Sequence, residues 1–156
     1  MELLIVNDYA AMSYKAAQFL ASQVILKPEC VMGLATGSTP EGLYRELVKM
    51  YQMGLIDFEK VTAFNLDEYV GLEAEHPQSY KTYMYTHFFK HVNIALTQRH
   101  IPDGNAAQLD AECEAYDFAI KRAGGIDIQV LGIGRNGHIG FNEPDLKFEA
   151  QTHVVA

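Results

Sequence analysis

Short, mostly apolar runs alternate along this chain with longer stretches whose apolar residues recur every three to four positions. The short runs cover Leu3–Val6, Cys30–Ala35, Val61–Leu66 and Ile126–Gly132, and His153–Val155 begins another. Runs that are mostly apolar, without strict polar alternation, are typical of strands that are buried on both faces. Because helical stretches separate them, the pattern predicts an α/β fold with a parallel sheet covered by helices on both faces.

The stretches between these runs carry signals for the ends of helices. Asp8 is predicted to cap the first helix, Pro40 suits the first turn of the second, and Gly54 ends the second. The four predicted helices cover about residues 9–26, 40–53, 79–90 and 109–123. The last of them carries an apolar face and is ended by two consecutive glycines.

The formal net charge of −8 limits the partners of the protein. So acidic a chain argues against nucleic acid and anionic membranes as partners, although a local positive site could still bind an anionic substrate.

No apolar run reaches the roughly 18 residues that span a bilayer, and the N-terminus lacks the features of a secretory signal. Cys30 and Cys113 form no CxxC pair and are expected to be buried small hydrophobic residues. We therefore expect a cytoplasmic protein.

The length of 156 residues suits one domain, so residues 1–156 are expected to form a single α/β domain. Domain boundaries normally fall in polar, exposed linkers. The last residues, Thr152–Ala156, are instead largely apolar. We therefore expect the chain to be the N-terminal part of a longer domain whose sheet is truncated at the C-terminus. None of these features indicates an oligomeric state.

Three unusual segments are predicted to follow strands, where ligands bind in open parallel sheets. They are Thr36–Pro40, Asn65–Gly71 and Gly132–Pro144. In the first, glycine and small hydroxyl residues lie between a strand and a helix, where backbone N–H groups and hydroxyls can bind an anion. A plain turn with a Ser or Thr helix cap is the alternative. The spacing is not that of a nucleotide P-loop.

The second segment places two adjacent carboxylates, Asp67 and Glu68, directly after a buried strand. A general base is often found at such a position. Because neighbouring residues leave a strand in opposite directions, the two carboxylates are not expected to share one role. The alternative is a loop carboxylate that caps a helix or faces water.

In the third segment, Gly132, Gly134 and Gly137 satisfy G-x-G-x-x-G after a strand. A dinucleotide site requires a helix to start there, and Gly140 and Pro144 interrupt any such helix. We therefore interpret the segment as a glycine-rich loop that lets a sugar approach the backbone.

The same loop presents His138 and Glu143. An imidazole near a carboxylate is what proton transfer at a sugar ring oxygen requires. A structural histidine is one alternative. A metal site formed with Asp67 is another, although the spacing matches no usual zinc pattern.

Together the three motifs resemble the glucosamine-6-phosphate deaminase (glucosamine/galactosamine-6-phosphate isomerase) family. The resemblance is carried by Leu34–Pro40, Asn65–Leu72 and Gly134–Pro144, with His76–Tyr80 and Asp103–Ala106 in support. It implies a Rossmann-like, doubly wound, mostly parallel sheet and a mechanism without metal or cofactor. The implied substrate is a phosphorylated amino sugar, and the implied products are fructose 6-phosphate and ammonia, in N-acetylglucosamine catabolism.

The resemblance also implies roles for single residues. Asp67 would be the general base that moves a proton between C2 and C1, and His138 would assist opening of the pyranose ring. Glu143 would orient His138 and tune it, and Asn136 stands beside them where part of the family has Asp. The implied substrate-binding residues are Thr36, Gly37, Ser38, Thr39, Asp67, Glu68 and Gly137.

Two alternative functions are compatible with these motifs. A 6-phosphogluconolactonase would resemble the family in fold, but the intact segments around Asp67 and Glu143 favour the deaminase. A sugar-phosphate sensor that binds without turnover would leave the base and the histidine without a purpose.

Overall fold

A computed structural model describes residues 2–145 and 149–155. Its helices are α1 (Tyr9–Leu26), α2 (Glu41–Gln52), α3 (Tyr80–His87) and α4 (Leu109–Arg122). Its strands are β1 (Val31–Leu34), β2 (Thr62–Asn65), β3 (Arg99–His100) and β4 (Ile128–Gln129). Two short 3₁₀ turns, Phe89–His91 and Leu96–Gln98, lie between α3 and β3.

The strands form one parallel sheet in the order β3-β2-β1-β4. The central pair aligns Val31 with Thr62 and Leu34 with Asn65. Parallel strands require crossover connections, and α2, α3 and α4 lie in the three connections between consecutive strands, whereas α1 precedes β1. The predicted α/β fold with a parallel sheet is confirmed.

The helices begin and end where local side chains dictate. The Asp8 carboxylate accepts the N–H of Ala11 at 2.7 Å and so caps α1. Ser79 caps α3 in the same way through the N–H of Thr82. Gly54 follows α2 with a φ of 71°, a conformation that favours glycine. The predicted starts of α1 and α3 and the predicted end of α2 are confirmed.

Apolar side chains cover both faces of the sheet. The larger cluster fills the space between the sheet and helices α1, α2 and α3, and its aromatic centre consists of Tyr44, Phe58 and Phe88. A smaller cluster on the opposite face contains Val31, Phe64 and Tyr116 of α4. Burial of this apolar surface is the main favourable contribution to the free energy of folding.

Three predicted strands differ from the structure. The segment Leu3–Val6 pairs with no strand of the described chain, and Leu3 and Ile5 are 77% and 88% exposed. The predicted run Ile126–Gly132 contributes only Ile128–Gln129, and His153–Val155 belongs to no strand of the described chain. An apolar sequence favours a strand, but the strand forms only where a neighbouring backbone accepts its hydrogen bonds.

Strand β3 was not predicted, because Arg99 and His100 are polar. Instead, packing stabilises the strand: the His100 ring stacks on Phe64 at 4.3 Å between ring centroids. Cys30 is buried as predicted, whereas Cys113 of α4 is only partly buried.

Candidate active site

The three predicted segments meet at the carboxyl edge of the sheet. They surround a cavity of about 1470 Å³. Its polar lining includes Thr36, Thr39, Asp67, Glu68, His138 and Glu143. The cavity exceeds the roughly 300–1,000 Å³ of typical ligand pockets, and apolar side chains of α1, α4 and β4 line another part of it. The polar end of the cavity is therefore the candidate active site.

Asp67 is a carboxylic acid of this site whose pKa lies well above its ordinary value. Burial of the carboxylate raises its pKa from 3.8 to about 6, and the neighbouring charge of Glu68 contributes further. A carboxylate with this pKa is mostly ionised at pH 7 and is a stronger base than an ordinary aspartate. Asp67 therefore has the acidity expected of a general base.

Gly140 allows the third segment to approach Asp67. It has a φ of 60°, and a Cβ added there would lie 3.1 Å from Leu66 Cδ2 and 3.4 Å from Asp67 Oδ2. A side chain at this position would be strained by the backbone and crowded by its neighbours. Steric crowding and the positive φ thus explain why a glycine occupies position 140.

Glu68 makes the contacts of a helix cap, which the sequence left open for a carboxylate of this segment, and its role in substrate binding stays a prediction. Its Oε1 accepts the N–H groups of Tyr69 at 2.8 Å and Tyr80 at 2.9 Å, and its Oε2 accepts the N–H of Lys81 at 3.0 Å. The carboxylate therefore satisfies donors at the start of α3, where negative charge is favourable. Although Glu68 lines the cavity, its two oxygens already accept protein hydrogen bonds.

Replacement of Glu68 by Gln is expected to shift the acid limb of the pH–kcat profile to lower pH. The substitution removes a negative charge that raises the pKa of Asp67, so the base stays ionised at lower pH. Tyr80 and Tyr116 also lie near Asp67, but burial raises the pKa of both hydroxyls and they remain neutral. Loss of the bond to Lys81 should lower the free energy of unfolding by about 1 kcal/mol.

The matched control is Glu75→Gln, because Glu75 is an exposed carboxylate of the following loop. Its pH–kcat profile should coincide with that of the wild type. An acid limb that stays in place in Glu68→Gln would show that burial alone sets the pKa of Asp67.

His138, Asn136 and Glu143 form a hydrogen-bonded series. The Nδ1 of His138 lies 2.6 Å from Asn136 Oδ1, and Asn136 Nδ2 donates to Glu143 Oε2 at 2.6 Å. Because the carboxylate can only accept, the amide group of Asn136 must turn its oxygen toward the histidine. Nδ1 therefore carries the proton, and Nε2 keeps its lone pair. Glu143 reaches His138 through Asn136.

The backbone of the third segment holds His138 in place. The N–H of Gly134 donates to the carbonyl of His138 at 2.8 Å. A Cβ at Gly134 would lie 2.1–2.4 Å from ring atoms of His138, so the ring rests directly on this glycine. Ile139 and Asn142 close the following turn with two backbone hydrogen bonds. The imidazole is thus held by packing as well as by Asn136.

The first segment follows β1 and exposes its backbone. Gly37 has a φ of 105° and lines an adjoining pocket of about 610 Å³ together with Tyr80 and Tyr83. Thr36 and Thr39 line the main cavity. Two predicted substrate-binding residues do not line either pocket as the described residues form it. They are Ser38 of this segment and Gly137 of the third segment, which has a φ of 92°.

The site also contains residues to which the sequence assigned no role. The rings of Tyr69, Tyr80 and Phe141 pack together with centroids 4.8–6.0 Å apart, and the Tyr80 hydroxyl lies close to the Thr36 side chain. Asn65 is 2% exposed, and its side-chain polar atoms contact no partner within residues 2–145 and 149–155. Tyr80 belongs to the supporting motif and Asn65 begins the second segment, but neither residue was assigned a role from the sequence.

Metal binding would require a cluster of suitable ligands. Among the described residues, no three His, Cys, Asp or Glu side chains lie close enough to hold a metal ion. The Nδ1 atom of His138 already forms a hydrogen bond with Asn136.

In the part of the chain that the structure describes, no helix is long and apolar enough to cross a membrane.

Comparison with known proteins adds to this geometry. A family model described as glucosamine-6-phosphate isomerases/6-phosphogluconolactonase matches residues 8–154. The chain belongs to this family. It is similar to the glucosamine-6-phosphate deaminases of Halothermothrix orenii, with 60% identity, and Clostridium botulinum, with 54% identity. Each match covers 99% of this chain and 64% of the relative, so the chain spans about two thirds of the length of these proteins.

Solved structures of family members share the fold. A monomeric glucosamine-6-phosphate deaminase superposes with a TM-score of 0.96 at 46% identity, over 99% of this chain and 64% of that protein. A 6-phosphogluconolactonase from Thermotoga maritima superposes with a TM-score of 0.73 at 19% identity, over 89% of this chain and 62% of that protein. The second likeness shows the fold alone.

Proposed function

We propose that this chain carries the catalytic residues of a glucosamine-6-phosphate deaminase, which converts glucosamine 6-phosphate and water into fructose 6-phosphate and ammonia. The observation that carries the proposal is that a basic Asp67 and the series His138–Asn136–Glu143 border one cavity. Relatives at 54–60% identity that are named glucosamine-6-phosphate deaminase support it.

The first chemical step in this proposal is opening of the pyranose ring. Nε2 of His138 takes the proton of the C1 hydroxyl and delivers a proton to the ring oxygen, so that the bond from C1 to the ring oxygen breaks and a C1 aldehyde forms. Asn136 orients the imidazole and keeps its proton on Nδ1. The Glu143 carboxylate holds the amide of Asn136 and favours the transient imidazolium.

The second step is proton transfer between carbons. The Asp67 carboxylate removes the proton from C2 of the open chain, and the C1 carbonyl oxygen gains a proton that the ammonium group at C2 loses, which gives an enediol-like enolamine. The proton held by Asp67 then returns to C1. The resulting iminium carbon at C2 adds water and expels ammonia, which leaves the ketone. The raised pKa of Asp67 suits both directions of this transfer, because a base with a pKa near the working pH takes and gives a proton with similar ease.

The proposal assigns substrate binding to the loop of residues 36–39 at the start of α2. Backbone N–H groups before a helix attract anions, and a phosphate there would leave the sugar beside Asp67. The scheme uses only side chains of this chain and requires neither a metal nor a cofactor.

A cytoplasmic location, a role in N-acetylglucosamine catabolism and the single domain of residues 1–156 remain predictions.

The direct test is ammonia release from glucosamine 6-phosphate by the purified full-length protein. We expect stoichiometric ammonia and fructose 6-phosphate, with kcat in the usual range of about 1–10³ s⁻¹. The matched control is hydrolysis of 6-phosphogluconolactone, which should not exceed the uncatalysed rate. Lactone hydrolysis without ammonia would favour the lactonase. Stabilisation against heat by the sugar phosphate, without any product, would favour a sensor.

A further inference from the structure

Tyrosine hydroxyls hold the carbonyl oxygens of the loop between β1 and α2. Tyr44 of α2 donates to the carbonyl of Ala35, at the start of the loop. Tyr83 of α3 donates to the carbonyl of Gly37 at 2.6 Å. The tyrosines belong to different helices, so contacts from outside the loop determine where these two carbonyls point.

A third tyrosine, Tyr9 of α1, holds the next two carbonyls. The single hydrogen of its hydroxyl is shared between the carbonyls of Ser38 and Thr39, whose oxygens each lie 3.0 Å from the hydroxyl oxygen. The same oxygen accepts the N–H of Gly42 at 2.8 Å, so the hydroxyl is held from both sides. Four of the five carbonyls from Ala35 to Thr39 therefore accept a tyrosine hydroxyl.

The orientation of a carbonyl also determines that of the N–H in the same peptide unit. The peptide is planar and trans here, so its N–H points away from its C=O. With the carbonyls of Ala35, Gly37 and Ser38 turned to the tyrosines, the N–H groups that follow them turn the opposite way. Those are the N–H groups of Thr36, Ser38 and Thr39. Within the described ranges, none of the N–H groups of residues 36–39 donates to a protein acceptor.

Without the tyrosines, this loop would have no comparable restraint. Residues 37–39 are exposed, and Gly37 adopts a φ of 105° that glycine can exchange at little cost for others. A reoriented peptide at Gly37 would present a carbonyl oxygen where an N–H had been. An anion would then meet a negative dipole instead of a donor.

We propose that Tyr9 and Tyr83 are positioning residues that preorganise this loop to bind a phosphomonoester. The inference rests on the proposed function, because it requires that the loop binds the phosphate of the substrate. The two hydroxyls act through the backbone and do not touch the phosphate. They reduce the cost of ordering the loop when the ligand binds.

The test uses Tyr9→Phe and Tyr83→Phe in the full-length protein, since each substitution removes only a hydroxyl. Each variant should raise KM for glucosamine 6-phosphate about three- to tenfold, the range for loss of one hydrogen bond, and the effect should fall on KM and not on kcat. The Ki of inorganic phosphate as a competitive inhibitor should rise by the same factor. KM for glucosamine without phosphate should not change.

The controls are Tyr14→Phe on α1 and Tyr85→Phe on α3, whose rings are 49% and 57% exposed. Both should retain the KM and the Ki of the wild type. If inorganic phosphate inhibits the wild type, and Tyr9→Phe and Tyr83→Phe have the same KM and Ki as the wild type, the inference is overturned. Equal increases of KM for glucosamine with and without phosphate would also overturn it. A wild type that inorganic phosphate does not inhibit would overturn the inference and the phosphate site together.

Discussion

Replacement of Asp67 by Asn is expected to lower kcat for glucosamine 6-phosphate at least about 10²-fold, while the Kd of the substrate changes little. The substitution keeps the shape of the side chain and its capacity to accept a hydrogen bond. It removes the group that takes the proton from C2, and loss of a general base typically costs 10²- to 10⁴-fold. Single-turnover measurements of ammonia release, together with equilibrium binding of the sugar phosphate, check the two parts separately.

The same variant should be at least as stable as the wild type at pH 7. The folded pKa of about 6 lies above the ordinary value of 3.8, so protonated Asp67 favours the folded state, and this contribution is lost as the pH rises through 6. Ionised Asp67 therefore destabilises the fold at pH 7, by between about 1 and 3 kcal/mol. Asn carries no charge and avoids this cost. A purely structural aspartate would instead give a less stable variant.

Asp110→Asn is the matched control, because Asp110 is an exposed carboxylate in the first turn of α4. Its kcat should equal that of the wild type. Turnover of Asp67→Asn within a few-fold of the wild type would remove Asp67 from the catalytic role. A lowered melting temperature together with lost binding would assign Asp67 to the structure.

Replacement of His138 by Gln is expected to lower the rate on the closed sugar about 10²-fold and to affect an open-chain analogue far less. Gln can occupy the space beside Asn136 but cannot accept and release a proton at Nε2. The difference arises because only the closed form requires ring opening. The measurement is kcat/KM for glucosamine 6-phosphate and for an acyclic amino-sugar phosphate, each with wild type and variant.

His91→Gln is the control for this substitution. The imidazole of His91 is exposed and contacts only the carbonyl of Thr86 among the polar groups of the described residues. Both substrates should react with it at wild-type rates. Equal losses on the closed and open substrates in His138→Gln would mean that His138 supports the fold or a later step instead of ring opening.

Local signals in the sequence were sufficient for the helices and for the location of the site. Asp8 and Ser79 cap helices through N–H groups three residues away, so their effect can be predicted from neighbouring positions. Parallel strands bring their carboxyl ends to one edge, which is why three separate motifs could be assigned to one site. The residues Asp67, His138 and Glu143 were identified by type and position before their geometry was known.

The roles of other residues depended on partners far away in the sequence. The sequence left open whether Glu68 caps a helix, and its contacts with N–H groups 12 and 13 residues later make it a cap of α3. Leu3–Val6 has the composition of a strand but no paired neighbour in the described chain, whereas polar Arg99–His100 does pair with β2. In both cases the available backbone partner outweighed the intrinsic preference.

The amino-acid sequence by itself determined the α/β class, the helix starts and the residues proposed for proton transfer, because these depend on periodicity, on caps a few residues away and on side-chain chemistry. Only the tertiary structure decided how those groups are oriented. Tyr9 and Tyr83 reach carbonyls 29 to 46 residues away. Such contacts depend on how three helices pack on one sheet, and packing is a property of the whole chain that no short segment specifies.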